Sequence, residues 1–422
     1  MNMRNKFVIY HSLMVLTLFF VVTRSYSGIW LTEENISQDA FGSFLSESDG
    51  TNHSGIAVDS KNHPHAVWYG RTPSRIFYSN RTGSSWSTPI NITSDTIQAK
   101  WTSIAIDSSD RLHIAWHDYR NASTTFNVEI YYNTASIGGS WNNETRLTNT
   151  QDVNMTNGDS GYSPTIVIDH RNFLHVVWYD FHWNGFNPDL AYKMATTGFS
   201  WNTTENIDSD RITFTQLYEQ PFPSMASDTS NNIHLVWADD STGNLEIYYK
   251  KKSGLSGLWS AETTLTNESS MSINPCIVSD SKNNLYVFWS DARDGNQEIY
   301  LKKYSSDSNQ WLADQRLTNV SGISNHPSAA SDSKNNIYLV WDDTRNGNQQ
   351  IFYKKFDSQS QSWSSDTAIS TGSGQSRYPS IAVDSLGNVH VLWQDNRDGN
   401  DEIYYREQTN ATTIPIELWN YE

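Results

Sequence analysis

Residues Pro379 to Tyr405 read PSIAVDSLGNVHVLWQDNRDGNDEIYY, and the turn residues and tryptophan of this stretch recur along the whole chain. The marker tryptophans are Trp68, Trp116, Trp178, Trp237, Trp289, Trp341 and Trp393, at intervals of 48, 62, 59, 52, 52 and 52 residues. A period of this length marks stacked or radially arranged units rather than one continuous sheet. Within the stretch, apolar residues alternate in three short runs rich in Val, Ile, Tyr and Trp: Ser380 to Asp384, Val389 to Gln394 and Glu402 to Tyr405. Period two in such residues predicts strands, here A, B and C. The connections Ser385-Leu-Gly-Asn388 and Asn396-Arg-Asp-Gly-Asn400 hold the Gly, Asn and Asp that tight hairpins need. A second tryptophan opens a fourth run, as in Trp259 to Thr266, and predicts strand D. Four antiparallel strands per repeat make a propeller blade.

Seven A-B-C sets are followed by only six D runs, which begin at Trp86, Trp141, Trp201, Trp259, Trp311 and Trp363. The missing D run stands at the other end of the chain, as Trp30-Leu-Thr-Glu-Glu-Asn-Ile-Ser37. The expectation is an all-β, seven-bladed propeller spanning 28–406, its last blade completed by this N-terminal strand. Closing the ring in this way leaves only short outer edges.

Residues 1–27 carry Arg4 and Lys6, then the apolar run Leu13 to Val22, then Ser25-Tyr-Ser27, and read as a cleaved signal peptide. An uncleaved anchor is the alternative, although a spanning helix needs about 20 apolar residues. Residues 407–422 read as a C-terminal tail. The lone cysteine, Cys276, excludes an intramolecular disulfide and a cysteine metal cluster. Asn-x-Ser/Thr sites, among them Asn35, Asn91, Asn267 and Asn410, permit glycosylation. A net charge of -17 opposes nucleic acid and anionic membrane surfaces as partners.

The connection into strand D resembles the Asp-box of the sialidase superfamily, Ser/Thr-x-Asp-x-Gly-x-x-Trp. Ser79-Asn-Arg-Thr-Gly-Ser-Ser-Trp86 keeps the Ser, Gly and Trp with Arg81 in place of the Asp; Thr134 to Trp141 has Ser136 there, and Ser305 to Trp311 keeps an Asp but is one residue short. The resemblance implies a propeller of the sialidase-like kind. Sialidases also bring an arginine triad, an acid/base Asp and a Tyr/Glu nucleophile pair to one mouth of the ring. No Phe/Tyr-Arg-Ile-Pro segment occurs here, and Trp30 to Ser60 contains no arginine.

A residue needed for chemistry is needed once, whereas one repeated in each blade is explained by packing. His65, His113, His175, His234 and His390 each stand three before the marker tryptophan, with Tyr286 and Tyr338 in the other two repeats, so they are expected in the core. The pairs Asp118/Arg120, Asp291/Arg293, Asp343/Arg345 and Asp395/Arg397 read as braces of the B-to-C hairpin. The loops Asp291 to Glu298 and Asp395 to Glu402 offer enough oxygens for calcium, the one cofactor to consider, but lack EF-hand spacing. No metal ligand is assigned.

Two sets of residues break the repeat. Insertions at Asn149 to Ser163, Asp180 to Asp189 and Asp208 to Phe222 crowd one rim and carry Tyr162, Trp183, Phe186, Tyr218 and Phe222, aromatic faces suited to a sugar ring, or else to packing the loops down. The residues just ahead of strand A should border the central channel; among them His326, Arg377, Tyr378, His53, Lys100 and Trp101 form a basic, aromatic arc able to take an anionic sugar. The expected function is a secreted or cell-surface monomer that binds extracellular glycans or a protein partner. A sialidase-like glycoside hydrolase is the alternative, and would hold two carboxylates roughly 5–9.5 Å apart. A third reading is a structural surface repeat. No catalytic residue can be assigned from the sequence.

Overall fold

The computed structural model describes residues 28–38, 42–44, 55–71, 74–94, 99–120, 128–149, 162–180, 189–207 and 222–410. The segment 1–27 and the tail beyond 410 lie outside the described residues. Seven antiparallel sheets, each built from strands A to D, form the blades of a propeller. Blade 7 shows the pattern: A is Ser376–Val383, B is Val389–Asp395, C is Glu402–Thr409, and D comes from the N-terminus as Ile29–Trp30 and Glu34–Asn35. Strand A thus begins earlier than its apolar alternation, and strand C runs past Arg406. Strand D is two short pieces rather than one run, the pattern also seen at Gln310–Trp311 and Gln315–Arg316 in blade 5.

The closure expected from the sequence is present. Ile29 and Trp30 pair with Thr409 and Gln408, and Glu34 and Asn35 with Tyr405 and Tyr404. Trp30 also behaves as a D-strand tryptophan. Elsewhere this residue sets its ring edge-on against an aromatic of the preceding blade, as Trp259 does on Tyr192 (5.2 Å) and Trp311 on Tyr249 (5.1 Å). Trp30 does the same on Tyr353 of blade 6 (5.1 Å), and Trp86 of blade 1 on Tyr405 of blade 7 (4.9 Å). Arg81, at the acidic position of the Asp-box-like turn, reaches from blade 1 to Glu407 (2.7 Å) and Glu34 (3.1 Å) and covers the Tyr405 ring.

At one end of the ring the A-to-B turns repeat a single device. Asp384 Oδ1 accepts from the N–H groups of Leu386 and Asn388, and Asp228 and Asp280 do the same in their turns. Each turn also clips onto its neighbour: Thr229 N–H and Oγ1 donate to Asn283 (2.9 and 2.7 Å), and Ser281 donates likewise to Asn335 (2.9 and 2.6 Å). Ser385 of blade 7 donates to Asn62 of blade 1 (3.0 and 2.7 Å), carrying the clip across the closure.

The repeated histidines are packed as expected. His113, His175 and His234 are buried, each sharing a hydrogen bond through Nδ1 with a strand C tyrosine, Tyr132, Tyr192 and Tyr249. Where tyrosine replaces histidine, Tyr286 and Tyr338 donate directly to the turn carboxylates Asp280 (3.3 Å) and Asp332 (2.9 Å). All seven marker tryptophans are at most 1% exposed. A channel of about 290 Å³ lies inside the ring, lined by the innermost strands of blades 2 to 7 through residues such as Ile104, Thr165, Ser224, Cys276, Ser328 and Ser380.

Candidate functional site

The other end of the ring is built on a bulge in strand A. In blade 7, Arg377 pairs with Gln394 and Ser380 with Leu392, so Tyr378 and Pro379 together oppose Trp393. Two residues facing one is a β-bulge, which re-aims the side chain it carries. The bulged residue takes a left-handed conformation in five blades: Trp101 (φ 45°), Ser163 (58°), Asn274 (54°), His326 (52°) and Tyr378 (55°). None is glycine, and left-handed backbone is costly for bulky side chains. Pro164, Pro223, Pro275, Pro327 and Pro379 follow the bulged position in blades 3 to 7. Proline donates no ladder hydrogen bond and is confined to edges and bulges, so it marks this place in the strand. The backbone device is repeated, and the side chain it presents is not.

The bulged residues therefore lie within strand A, not ahead of it, and they do not line an open mouth. Trp101, Phe222, His326 and Tyr378 are each at most 6% exposed. They pack on one another because the bulges aim them inward. Trp101 reaches past blade 3, whose bulged residue is the small Ser163, to the Phe222 ring at 6.0 Å, and meets His117 at 4.2 Å. His326 and Tyr378 meet edge-on at 4.8 Å.

The mouth has two unlike sectors. Blades 1 to 4 supply aromatics: Phe44 stacked on Tyr69 (5.5 Å), Trp101, His117 and Phe222. Blades 5 to 7 supply a polar network. Asn325 Oδ1 accepts from Ser290 Oγ (2.5 Å) and Asn274 Nδ2 (2.9 Å); Asp342 Oδ2 lies 2.6 Å from His326 Nδ1 and accepts the Tyr378 N–H at 3.2 Å. Arg377 lies over the Tyr378 ring and pairs with Asp401 at 2.8 Å, both partly exposed. The basic arc is thus matched by carboxylates at His326 and Arg377. A ligand carboxylate at Arg377 has to compete with Asp401. Lys100 is half-buried in strand A of blade 2, opposite His117. Tyr162 opens strand A of blade 3 opposite Tyr179. His53, Trp183, Phe186 and Tyr218 lie outside the described residues.

Sequence reasoning missed a second variable position, the residue after each marker tryptophan: Tyr69, His117, Tyr179, Ala238, Ser290, Asp342 and Gln394. Its variation was visible in the sequence, and it lies near the bulge. Also missed was the start of strand A in blade 1. Ser43 and Phe44 pair with Gly70 and Tyr69, where Ser376 and Arg377 stand in blade 7, and the strand resumes at Ile56–Val58. Blade 1 thus carries an insertion at its bulge.

The Asp-Arg pairs brace their hairpins, as expected, and also tie in strand D. Asp291, Asp343 and Asp395 each accept from the indole of their own marker tryptophan (2.7, 2.9 and 3.1 Å) and from Arg293, Arg345 and Arg397. Those guanidinium groups lie over strand C rings and reach Asp314, Asp366 and Glu33 of strand D. Burial pushes these three carboxyls up, but the arginine bonds outweigh it and hold them below the usual carboxylate range. Blade 4 has Ser241 in place of the arginine, and burial raises the Asp239 carboxyl. In the acidic loops, Asp294 and Asp398 accept from Tyr300 and Tyr404 hydroxyls. Among the described residues no group of three or more His, Cys, Asp or Glu is placed to hold a metal ion.

No protein-family model and no curated protein matches the chain. Solved structures do. One is an ulvan lyase of polysaccharide lyase family PL25, bound to -[GlcA(1-4)Rha3S]-, with TM-score 0.60 and 9% identity over 86% of this chain and 94% of that one. What is shared is the propeller. An α-L-arabinofuranosidase of Fusarium graminearum, family GH93, matches with TM-score 0.50 and 13% identity over 74% of this chain and 92% of that one. The matches include sialidases, among them NanB from Streptococcus pneumoniae, with TM-score 0.46 and 13% identity over 87% of this chain and 70% of that one. These neighbours are enzymes that act on glycans, and at such identities the likeness is one of fold.

Proposed function

We propose that this chain is an exported, monomeric propeller that binds an acidic glycan at the bulge end of its ring and does not turn it over. The observation that carries the reading is the contrast at the bulges, where one backbone device presents a different side chain in each blade. Such variation has no use in blade packing and fits a surface shaped to one ligand. Aromatic rings in one sector and Lys100 and Arg377 at the rim suit a sugar with a carboxylate or sulfate. The apolar run near the N-terminus and the sugar-acting neighbours support a role outside the cell on glycans. Against turnover stand the carboxylates of this end. Asp291, Asp343 and Asp395 are held by Trp and Arg, and Asp342 by His326 and Gln349, which leaves none of these four poised as an acid/base pair.

The test is retention of the full chain on immobilised acidic polysaccharides, alongside an assay for new reducing ends and unsaturated uronate. Binding should weaken with salt and fall in Lys100→Ala and Arg377→Ala, with no product released. Sustained product release would turn the reading to an enzyme. Unchanged binding in both variants would remove the ligand from this end.

A further inference from the structure

At the turn end, far from the bulges in each blade, the grooves between blades 4 and 5 and between blades 6 and 7 have volumes of about 460 and 320 Å³. Their walls match. Tyr249, Lys251, Ser260 and Thr263 line the first, and Tyr353, Lys355, Ser364 and Thr367, each two repeats further along, line the second. The facing blade contributes Tyr304, Ser306 and Asn309 in one and Trp30, Gln408 and Asn410 in the other. The set is not a packing motif common to all blades. In the intervening seam Leu301 and Leu312 stand where the others have Tyr and Ser, and Asn80, Thr134, Met194 and Glu407 hold the lysine's place in blades 1, 2, 3 and 7.

The chemistry of each groove is that of a sugar site. Tyr249 and Tyr353 are buried and make an aromatic floor, while Ser260, Thr263, Ser364 and Thr367 are exposed hydroxyls along the rim. Lys251 and Lys355 are half-buried, and neither makes an ion pair among the described residues. The Lys355 ammonium stands 5.1 Å over the Tyr338 ring. One cation, an aromatic floor and a hydroxyl and amide rim complement a pyranose that carries one negative charge. Both volumes lie at the lower end of the ~300–1,000 Å³ typical of ligand pockets, enough for one or two sugar residues.

We propose that these two grooves are equivalent subsites, each holding one anionic sugar residue, so that the turn end binds a repeating acidic glycan bivalently. Two linked weak sites raise avidity without any new contact when the glycan can span them. The sites share a ligand class with the bulge end but none of its residues, so either can fail alone.

The experiment is calorimetric titration of the full chain with a glucuronosyl disaccharide and with its neutral glucosyl counterpart. Two sites should be lost one at a time in Ser260→Trp and Ser364→Trp, which fill the grooves from exposed positions, with melting unchanged. Lys251→Ala and Lys355→Ala should each weaken their own site about tenfold or more, and the neutral disaccharide should bind weaker by a similar factor, as loss of a charge-assisted hydrogen bond predicts. Lys100→Ala with Arg377→Ala should leave both groove sites intact. Wild-type stoichiometry in a folded Ser260→Trp, Ser364→Trp double variant would overturn the proposal, as would equal affinity for the charged and neutral sugars.

Discussion

The two ends of the ring are made from the same strands and obey different rules. At the turn end the side chains repeat: an aspartate bonds its own turn, a serine or threonine clips the next blade, and a buried histidine or tyrosine reaches the carboxylate beneath it. At the bulge end the backbone repeats and the side chains do not. A repeat protein is stabilised by its units and the interfaces between them, so the conserved chemistry of the turn end holds the ring. The variable residues at the bulges are released from that duty.

The largest effect should come from opening the ring. Without residues 28–38, strand C of blade 7 loses its cover, Tyr353 loses Trp30, and Glu402 and Arg397 lose Ser37 and Glu33. Breaking one buried pair alone costs about 3–5 kcal/mol. The shortened chain should lose its cooperative melting transition, and melting like the full protein would break the account of closure. Trp341→Ala comes next, at about 3–5 kcal/mol in denaturant titration, as a large-to-small change in a sealed core. A loss under about 1 kcal/mol would mean that the repeated tryptophans are not what holds the blades.

Acid should act through the turn end. Burial lowers His113 to about 4 against the pull of Asp107, and lowers His65, His175 and His234 as well. The unfolded chain therefore takes up protons near the ordinary histidine value of 6.5 while the folded chain does not, and stability falls as pH drops from about 6.5 toward 4. Burial raises the Asp228 carboxyl, but bonds from His234 and Asn232 bring it to about 2, so its contribution is present above 3.8 and is lost only as pH falls from there toward 2. His234→Tyr, which copies Tyr338 of blade 6, should flatten part of the slope between 6.5 and 4. An unaltered slope would show that the acid response arises elsewhere. Smallest is Ser385→Ala, which removes one exposed bond across the closure and should cost about 0.5–1.5 kcal/mol.

The turn end was legible in the sequence because its chemistry is local. Asp384, Asn388 and His390 lie within a few residues of their partners in the chain, and hairpin turns and alternation follow from residue type. Closure was legible through a count, since Trp30 was a D strand without a blade. The bulge was harder. Left-handed backbone at Trp101, His326 and Tyr378 breaks the expectation that such residues avoid it, and only the recurring proline one step on pointed there. The pairing of Arg377 with Asp401 and of His326 with Asp342 joins different connections and different strands, and no local pattern announces it.

The central claim is that side chains at the bulge end serve a ligand and not the fold. It is tested most directly by measuring, on one preparation, the melting temperature and the acidic-polysaccharide affinity of the Lys100→Ala, Arg377→Ala double variant. Melting close to wild type with binding at least about tenfold weaker is the predicted result, the loss expected for removing charge-assisted contacts. Wild-type affinity together with a large drop in melting temperature would contradict it, and would make the bulge end part of the scaffold.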